Sequence, residues 1–276
     1  MNSLGPELII EPNGRSVQYW QDLWRYRDLL FFLSWRDILV RYKQTVFGIS
    51  WALLPSLMTL SVFTVVFGKL ARFPSGGAPY PILVLAGILP WNLFSGALSQ
   101  GGQSLVSNSQ LISKIYFPRI IIPLSAVVVS LVDFLVSFCF LLVLMVWFHW
   151  MPPRAMVMLP LFVLLAMVAA FAAGIGLSAL NVKYRDFRYL VPMIVQLGVY
   201  ISPVGFSSGM VPARWRLLYS LNPMVGVIDG FRWAILGTSS PLYVPGLVLS
   251  LLLVTLVLIV GIRYFRQVED TFADVI

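Results

Sequence analysis

Apolar residues gather in six stretches, 47–68, 81–103, 120–148, 155–180, 190–206 and 242–262, parted by short polar segments. A helix needs about 20 mainly apolar residues to cross about 30 Å of hydrocarbon. The pattern therefore predicts six membrane-spanning helices. The second stretch ends in the polar, glycine-rich run SQGGQS at 99–104, and the fifth is short and carries Pro192, Gln196 and Pro203. Broken helices of this kind are tolerated where they lie against protein or line a water-filled cavity, which points to a pathway beside them.

Ahead of the first stretch, Tyr19, Leu23, Tyr26, Leu30 and Leu33 recur at steps of four and three, with Gln18, Gln21, Asp22, Arg25 and Asp28 opposite. Trp35, Ile38, Leu39 and Tyr42 then repeat i, i+3, i+4, i+7, with Arg36, Asp37, Arg41 and Lys43 on the outward face. Both are helical stripes. Their aromatic and basic content predicts a helix lying in the membrane interface rather than crossing it: an anchor, or an anchor that also docks a partner. Residues 1–16 lack the basic, apolar, small-residue progression of a cleaved secretory signal.

Residues 215–237 are fairly apolar yet contain Arg216, Asn222, Pro223, Asp229 and Arg232. A full span carrying that load would be costly. Residues 207–241 are expected to form a re-entrant or interfacial hairpin broken at Asn222-Pro223. Arg216, Asp229 and Arg232 would then stay near water, and Gly226 and Gly230 would allow close helix approach. A seventh span is the alternative.

Composition agrees with a membrane chain. Of 276 residues, 59% are hydrophobic and 11% charged, and the mean hydropathy is +0.88, which excludes an ordinary soluble domain. The net charge of +8 has no polar body to carry it, so it reads as topology rather than nucleic-acid binding. With six spans both termini share one side, and the N-terminal segment 1–46, the loops 104–119 and 181–189 and the tail 263–276 collect thirteen of the nineteen Lys and Arg. The positive-inside rule makes that side cytoplasmic. Residues 47–262 form the membrane domain between them. One cysteine, Cys139, and one histidine, His149, give neither an intrachain disulfide nor a metal cluster.

Energy-coupling chemistry is missing from the chain itself. Of Lys43, Lys69, Lys114 and Lys183, only Lys69 follows a glycine, and Leu70 after it offers no hydroxyl, so there is no G-x-x-x-x-G-K-[ST] phosphate cradle. If ATP drives this protein, another chain binds it. Asp133 is the lone acid of the spans; it reads either as a proton site or as a hydrogen-bonded acid fixing a helix contact. Phe47 and Trp51, Phe63 and Phe67, Trp91 and Phe94, with Tyr200 and Phe206, offer ring faces that could stack on sugars, or an interfacial belt and ordinary packing. The loops NSQLISKIYFPR at 108–119 and NVKYRDFRY at 181–189 mix aromatic and basic residues and return at once into a span. They read as levers pressed on a motor protein, or as topology charges touching anionic lipid.

Six stretches carry a resemblance: WRDILVRYKQTVFGISWALLPSL from Trp35, GILPWNLF from Gly87, LISKIYFPRIIIPLS from Leu111, LNVKYRDFRYLVP from Leu180, SLNPMVGVIDGFRWAILG from Ser220, and EDTFADVI at the C-terminus. In sequence and order they resemble the permease subunit of ABC-2 type exporters for O-antigen, capsular polysaccharide and teichoic acid. The resemblance implies an all-α polytopic membrane fold of six spans with an N-terminal interface helix and outer re-entrant helices. It implies a homodimer in the cytoplasmic (inner) membrane, above two separate ATPase subunits that bind ATP and Mg, moving a lipid-linked glycan. This chain would then have neither a cofactor nor an enzymatic activity of its own. By the family pattern the interface helix includes Trp35, Arg36, Asp37, Arg41, Tyr42 and Lys43. Coupling to the ATPase falls to Leu111, Lys114, Tyr116 and Phe117, then to Lys183, Tyr184, Arg185, Asp186 and Arg188, with Tyr116 and Phe117 filling an apolar socket on it. The first and fifth spans line the pathway, where Phe47, Trp51, Phe63, Phe67, Trp91, Tyr200 and Phe206 are the candidate aromatics. The rival readings are a polytopic enzyme of envelope glycan synthesis and an ATP-independent, proton-coupled transporter using Asp133.

Overall fold

The computed structural model describes residues 16–43, 48–74, 76–184 and 186–272. Phe47 and Arg185, singled out above, lie outside the described residues, as do residues 273–276. Regular structure among the described residues is helical throughout: α1 Ser16–Arg25, α2 Arg27–Tyr42, α3 Leu53–Phe63, α4 Tyr80–Ser107, α5 Ser109–Ile112, α6 Ile121–Trp147, α7 Leu159–Lys183, α8 Phe187–Ile201, α9 Ala213–Tyr219, α10 Pro223–Leu236 and α11 Val244–Val268. A 3-10 turn at Gly48–Ala52 leads into α3, and a π-helical stretch, Thr64–Leu70, continues it.

Among the described residues, five helices are long and apolar enough to cross a membrane, at Ser50–Leu70, Tyr80–Ser107, Ile121–Trp147, Arg154–Lys183 and Val244–Thr271. The fifth apolar stretch of the sequence is the short one. Its helix, α8, has 15 residues, about 22 Å of rise. Ser202 after it is extended at φ −83°, ψ 153°, because a residue preceding proline, here Pro203, is pushed out of the α region. The last helix outruns its apolar stretch and continues to Val268.

Helix α4 is the hub, packed against α6 and α7 along its length and against α3, α8 and α10 elsewhere. The SQGGQS run does not end it. Gly101 of α4 faces Gly174 of α7, where a Cβ on Gly101 would sit 3.8 Å from the Gly174 Cα. Close packing of small residues is what joins helices where lipid removes the hydrophobic drive. The polar members are bonded in place: Ser104 donates to the Gly101 carbonyl at 2.6 Å, and Asn181 on α7 donates to the Gly102 carbonyl at 3.0 Å.

The bundle has a basal end, carrying α1, α2, α5 and the tail, and a distal end, carrying α9 and α10. Both distal helices are too short to cross a bilayer. Asn222 caps α10 by accepting from the Met224 amide at 3.0 Å, with Pro223 at the first helical position. A Cβ on Gly226 would fall 2.4 Å from Ser250 Oγ of α11, and one on Gly230 2.1 Å from the Phe162 ring of α7; glycine is what allows α10 this close.

One expectation fails here. Asp229 is buried, and Arg232 is 0% exposed rather than near water. The reason lies in the early end of α8: residues 202–206 leave carbonyls without helical partners. Arg232 donates Nη2 to Val204 O at 2.6 Å, Nη1 to Phe206 O, and Nε to Leu83 O at 3.3 Å. A guanidinium has five donors in a fixed fork, and carbonyls of irregular backbone inside a membrane protein need such partners. Tyr80 and Tyr219 add bonds to Gly205 O and Ile201 O, at 2.6 and 2.8 Å.

Candidate functional site

The basal end joins four separate parts of the chain. Tyr19, Leu23, Tyr26, Leu29 and Leu30 turn their stripe onto a core of Leu33, Ile112, Phe117, Phe265 and Phe272. Glu269 ties them together, accepting from Tyr19 OH at 3.2 Å and from the Arg119 backbone amide at 2.9 Å. Burial first, and then the Glu269 charge, push the Tyr19 phenol above its ordinary pKa, so it remains the donor. Arg266 lies over the Tyr19 ring at 4.6 Å and Arg119 over Phe272 at 5.9 Å.

This packing divides the first candidate coupling segment. Leu111 and Phe117 face inward, while Lys114, Ile115 and Tyr116 are exposed. Phe117, at 3% exposure, is committed to the chain's own core and cannot fill a socket on another protein. The second segment is open: Lys183, Tyr184, Asp186 and Arg188 are exposed, with Lys183 Nζ over the Tyr184 ring at 5.4 Å.

Helix α2 also departs from the pattern read in its sequence. Trp35 and Leu39 are exposed, with Trp35 stacked on exposed Phe31, whereas Arg36 and Asp37, assigned outward, are half-buried; Arg41 and Lys43 stay exposed. Arg36 bonds Asp37 at 2.9 Å and Asn108 Oδ1 of α4 at 2.9 Å. Arg41 Nη1 and Tyr42 OH each donate to one oxygen of Asp133 on α6. Burial, and next the hydrogen bond to Asp133, raise the Tyr42 phenol above its ordinary pKa. Of the two readings of Asp133, the structure shows the acid fixing a helix contact. The physical cause is that a carboxylate at membrane level needs donors, and α2 packs along α6, which brings both donors within reach.

Two cavities meet at this clasp. One, of 290 Å³, lies under the first span and is lined by Arg41, Tyr42, Trp51, Asn92, Ser95, Gln100, Asp133 and Ser137 among others. The other, of 580 Å³, extends toward the basal end past Arg36, Asp37, Ser99, Gln103, Ser107 and Asn108. Arg41 and Gln100 line both.

The candidate aromatics divide as well. Phe63 and Trp91 are each 6% exposed and belong to the core: Phe63 meets the Phe67 ring at a tilt, 5.2 Å away, and fills the space a Cβ on Gly205 would take, and Trp91 covers Gly198. Phe67 and Phe206 are half-buried, the latter 6.5 Å from the Tyr219 ring. Of the described members, Trp51 and Tyr200 are the exposed ones, at 46% and 66%. Phe63 and Tyr200 stack at 6.3 Å, so α3 and α8 touch toward the distal end.

Gln100 lies in the SQGGQS run that points to a pathway, but Glu269 and Asn92 take no role from the sequence alone: a lone acid after an apolar helix and one amide inside an apolar stretch are weak signals.

The ABC-2 type transporter family model matches residues 28–236. The chain is 26% identical over 256 residues to the O-antigen export system permease protein RfbA of Klebsiella pneumoniae, covering 90% of this chain and 95% of that one. It is 28% identical over 216 residues to RfbA of Myxococcus xanthus, with 77% and 82% covered. The polysialic acid transport protein KpsM of Escherichia coli matches at 24% over 243 residues, with 85% and 91% covered. With its multi-pass helical fold and a family match over most of its length, this chain belongs to the ABC-2 type transporter family.

Proposed function

We propose that this chain is the membrane-spanning permease of an ATP-driven exporter that carries a lipid-linked polysaccharide across the cytoplasmic membrane. The observation that carries the reading is the similarity to permeases named for O-antigen export, which extends over 90% of the chain. ATP is hydrolysed by a separate subunit, since the sequence lacks a phosphate cradle. The basal end, rich in Lys and Arg, faces the cytoplasm. Exposed Lys114, Tyr116, Lys183, Tyr184, Asp186 and Arg188, with Arg185 beside them in sequence, meet the ATPase. Two copies face each other along the first and fifth spans, because a single chain of this size hardly encloses a path for a glycan and homo-oligomers are most often twofold dimers.

Deleting the gene in the native host tests the reading. Surface polysaccharide should disappear and lipid-linked glycan should accumulate on the cytoplasmic side, with both reversed by the intact gene only when its ATPase is active. Normal surface polysaccharide in the deletion strain overturns it.

A further inference from the structure

We infer that the cavity at the Arg41–Asp133 clasp is a saccharide-binding subsite, where ring hydroxyls are read by the side-chain amides of Asn92 and Gln100. The inference rests on the glycan cargo proposed above and assigns that cargo a place and a chemistry.

Charge comes first. A phosphate headgroup would need uncompensated cations, but both arginines of the cleft are already matched. Arg36 lies 2.7 Å from Asp37, and Arg41 is paired with Asp133. The cleft mixes polar and apolar walls and carries no net charge, which suits a neutral ring with hydroxyls on its edge and an apolar face.

Hydrogen-bond capacity points the same way. Asn92 Nδ2 donates to Ser56 Oγ at 3.1 Å, and Gln100 Nε2 donates to Gly96 O and Ser130 Oγ, both at 3.2 Å. Each amide thus spends its NH2 on the protein. Among the bonds of the described residues, neither side-chain carbonyl oxygen is used. Both residues line the cavity, and an amide oxygen has two lone pairs to offer a ligand rich in O–H donors. Trp51, 46% exposed, lines the same cavity and adds an aromatic wall to it.

Depth is the last point. Polar side chains inside an apolar stretch are costly unless they line water or a polar ligand. Ser95, Ser99, Gln100, Gln103 and Ser107 recur along one run of α4 and line the two cavities. They make a polar track from the basal end to the first span, a route with no use for an apolar substrate.

Benzoylphenylalanine placed at Ser95, in the full exporter within cells making the glycan, tests the subsite by photo-crosslinking. Tyr200 on α8 serves as a second pathway position and Leu256, exposed on α11, as the lipid-facing control. A carbohydrate-bearing adduct at 95 but not at 256 supports the inference. Carbohydrate at 200 with none at 95, or a phospholipid adduct at 95, overturns the subsite and leaves the cargo standing. Carbohydrate at none of the three, in an exporter that still assembles, removes the cargo reading and the subsite with it. Should the bulky residue at 95 stop assembly, two substitutions decide. Gln100→Leu is expected to lower export about tenfold with ATPase copurification intact, while Gln100→Glu, which keeps an acceptor oxygen, retains more of it. Equal export by both variants overturns the inference.

Discussion

Arg232 Nη2 lies 2.6 Å from the carbonyl oxygen of Val204, and the side chain holding it there is 0% exposed. The pair joins α10 of the distal hairpin to the end of the short helix α8, while Arg232 Nε reaches Leu83 O on α4. One guanidinium thus adds polar ties to three elements that also share the apolar core.

Arg232→Leu removes these donors and leaves buried carbonyls without partners. Each such loss costs about 1–3 kcal/mol, so thermal unfolding in detergent should show a destabilisation of about 3 kcal/mol or more. Arg232→Lys should recover only part of it, because an ammonium lacks the planar fork. An unchanged melting temperature for the leucine variant would show that the grip is not structural.

Phe117 and Tyr116 are neighbours with opposite fates. Phe117→Ala should destabilise the permease itself by about 3–5 kcal/mol, as expected for emptying a buried aromatic site. Tyr116→Ala should leave stability unchanged and lower both ATPase copurification and export, as should Arg185→Ala. If Tyr116→Ala keeps normal ATPase association, the exposed loop carries topology charge only.

The Glu269 tie gives a local prediction. Glu269→Ala strands the Arg119 amide and the Tyr19 hydroxyl, costing about 1–3 kcal/mol. Amide hydrogen exchange across residues 111–119 should accelerate, while exchange in α4 should not change. Uniform protection in both regions would mean that the tail does not hold the loop.

Asp133 permits a test between energy sources. Its pair with Arg41 has side-chain exposures of 39% and 28%, so Asp133→Ala should cost about 1–2 kcal/mol rather than the 3–5 of a fully buried pair. ATP-dependent export in inverted vesicles should continue when a protonophore collapses the proton gradient. Loss of export with ATP still present would restore the proton-coupled reading.

The spans could be read from the chain because twenty consecutive apolar residues are a local property: the bilayer acts on each segment separately, whatever it packs against. The same holds for the break at Asn222-Pro223 and for the stripe from Tyr19 to Leu33, whereas the apolar pattern runs the fifth span through Pro203 although α8 ends at Ile201. Which charges face inward is not local. Arg232 meets Leu83 at a separation of 149 residues, Arg41 meets Asp133 at 92, and Glu269 meets Arg119 at 150. A charged residue near a helix end has the same sequence signature whether it reaches water or a distant carbonyl. Periodicity therefore gives Arg41 no partner and the cost of a buried charge keeps Arg232 near water; only the packing of α2 on α6 brings Arg41 to Asp133, and that of α10 on α4 buries Arg232. The division of the aromatics has the same cause. Phe63 and Trp91 are buried because Gly205 and Gly198, on a segment more than a hundred residues away, leave room for their rings, and that complementarity exists only once the helices have met.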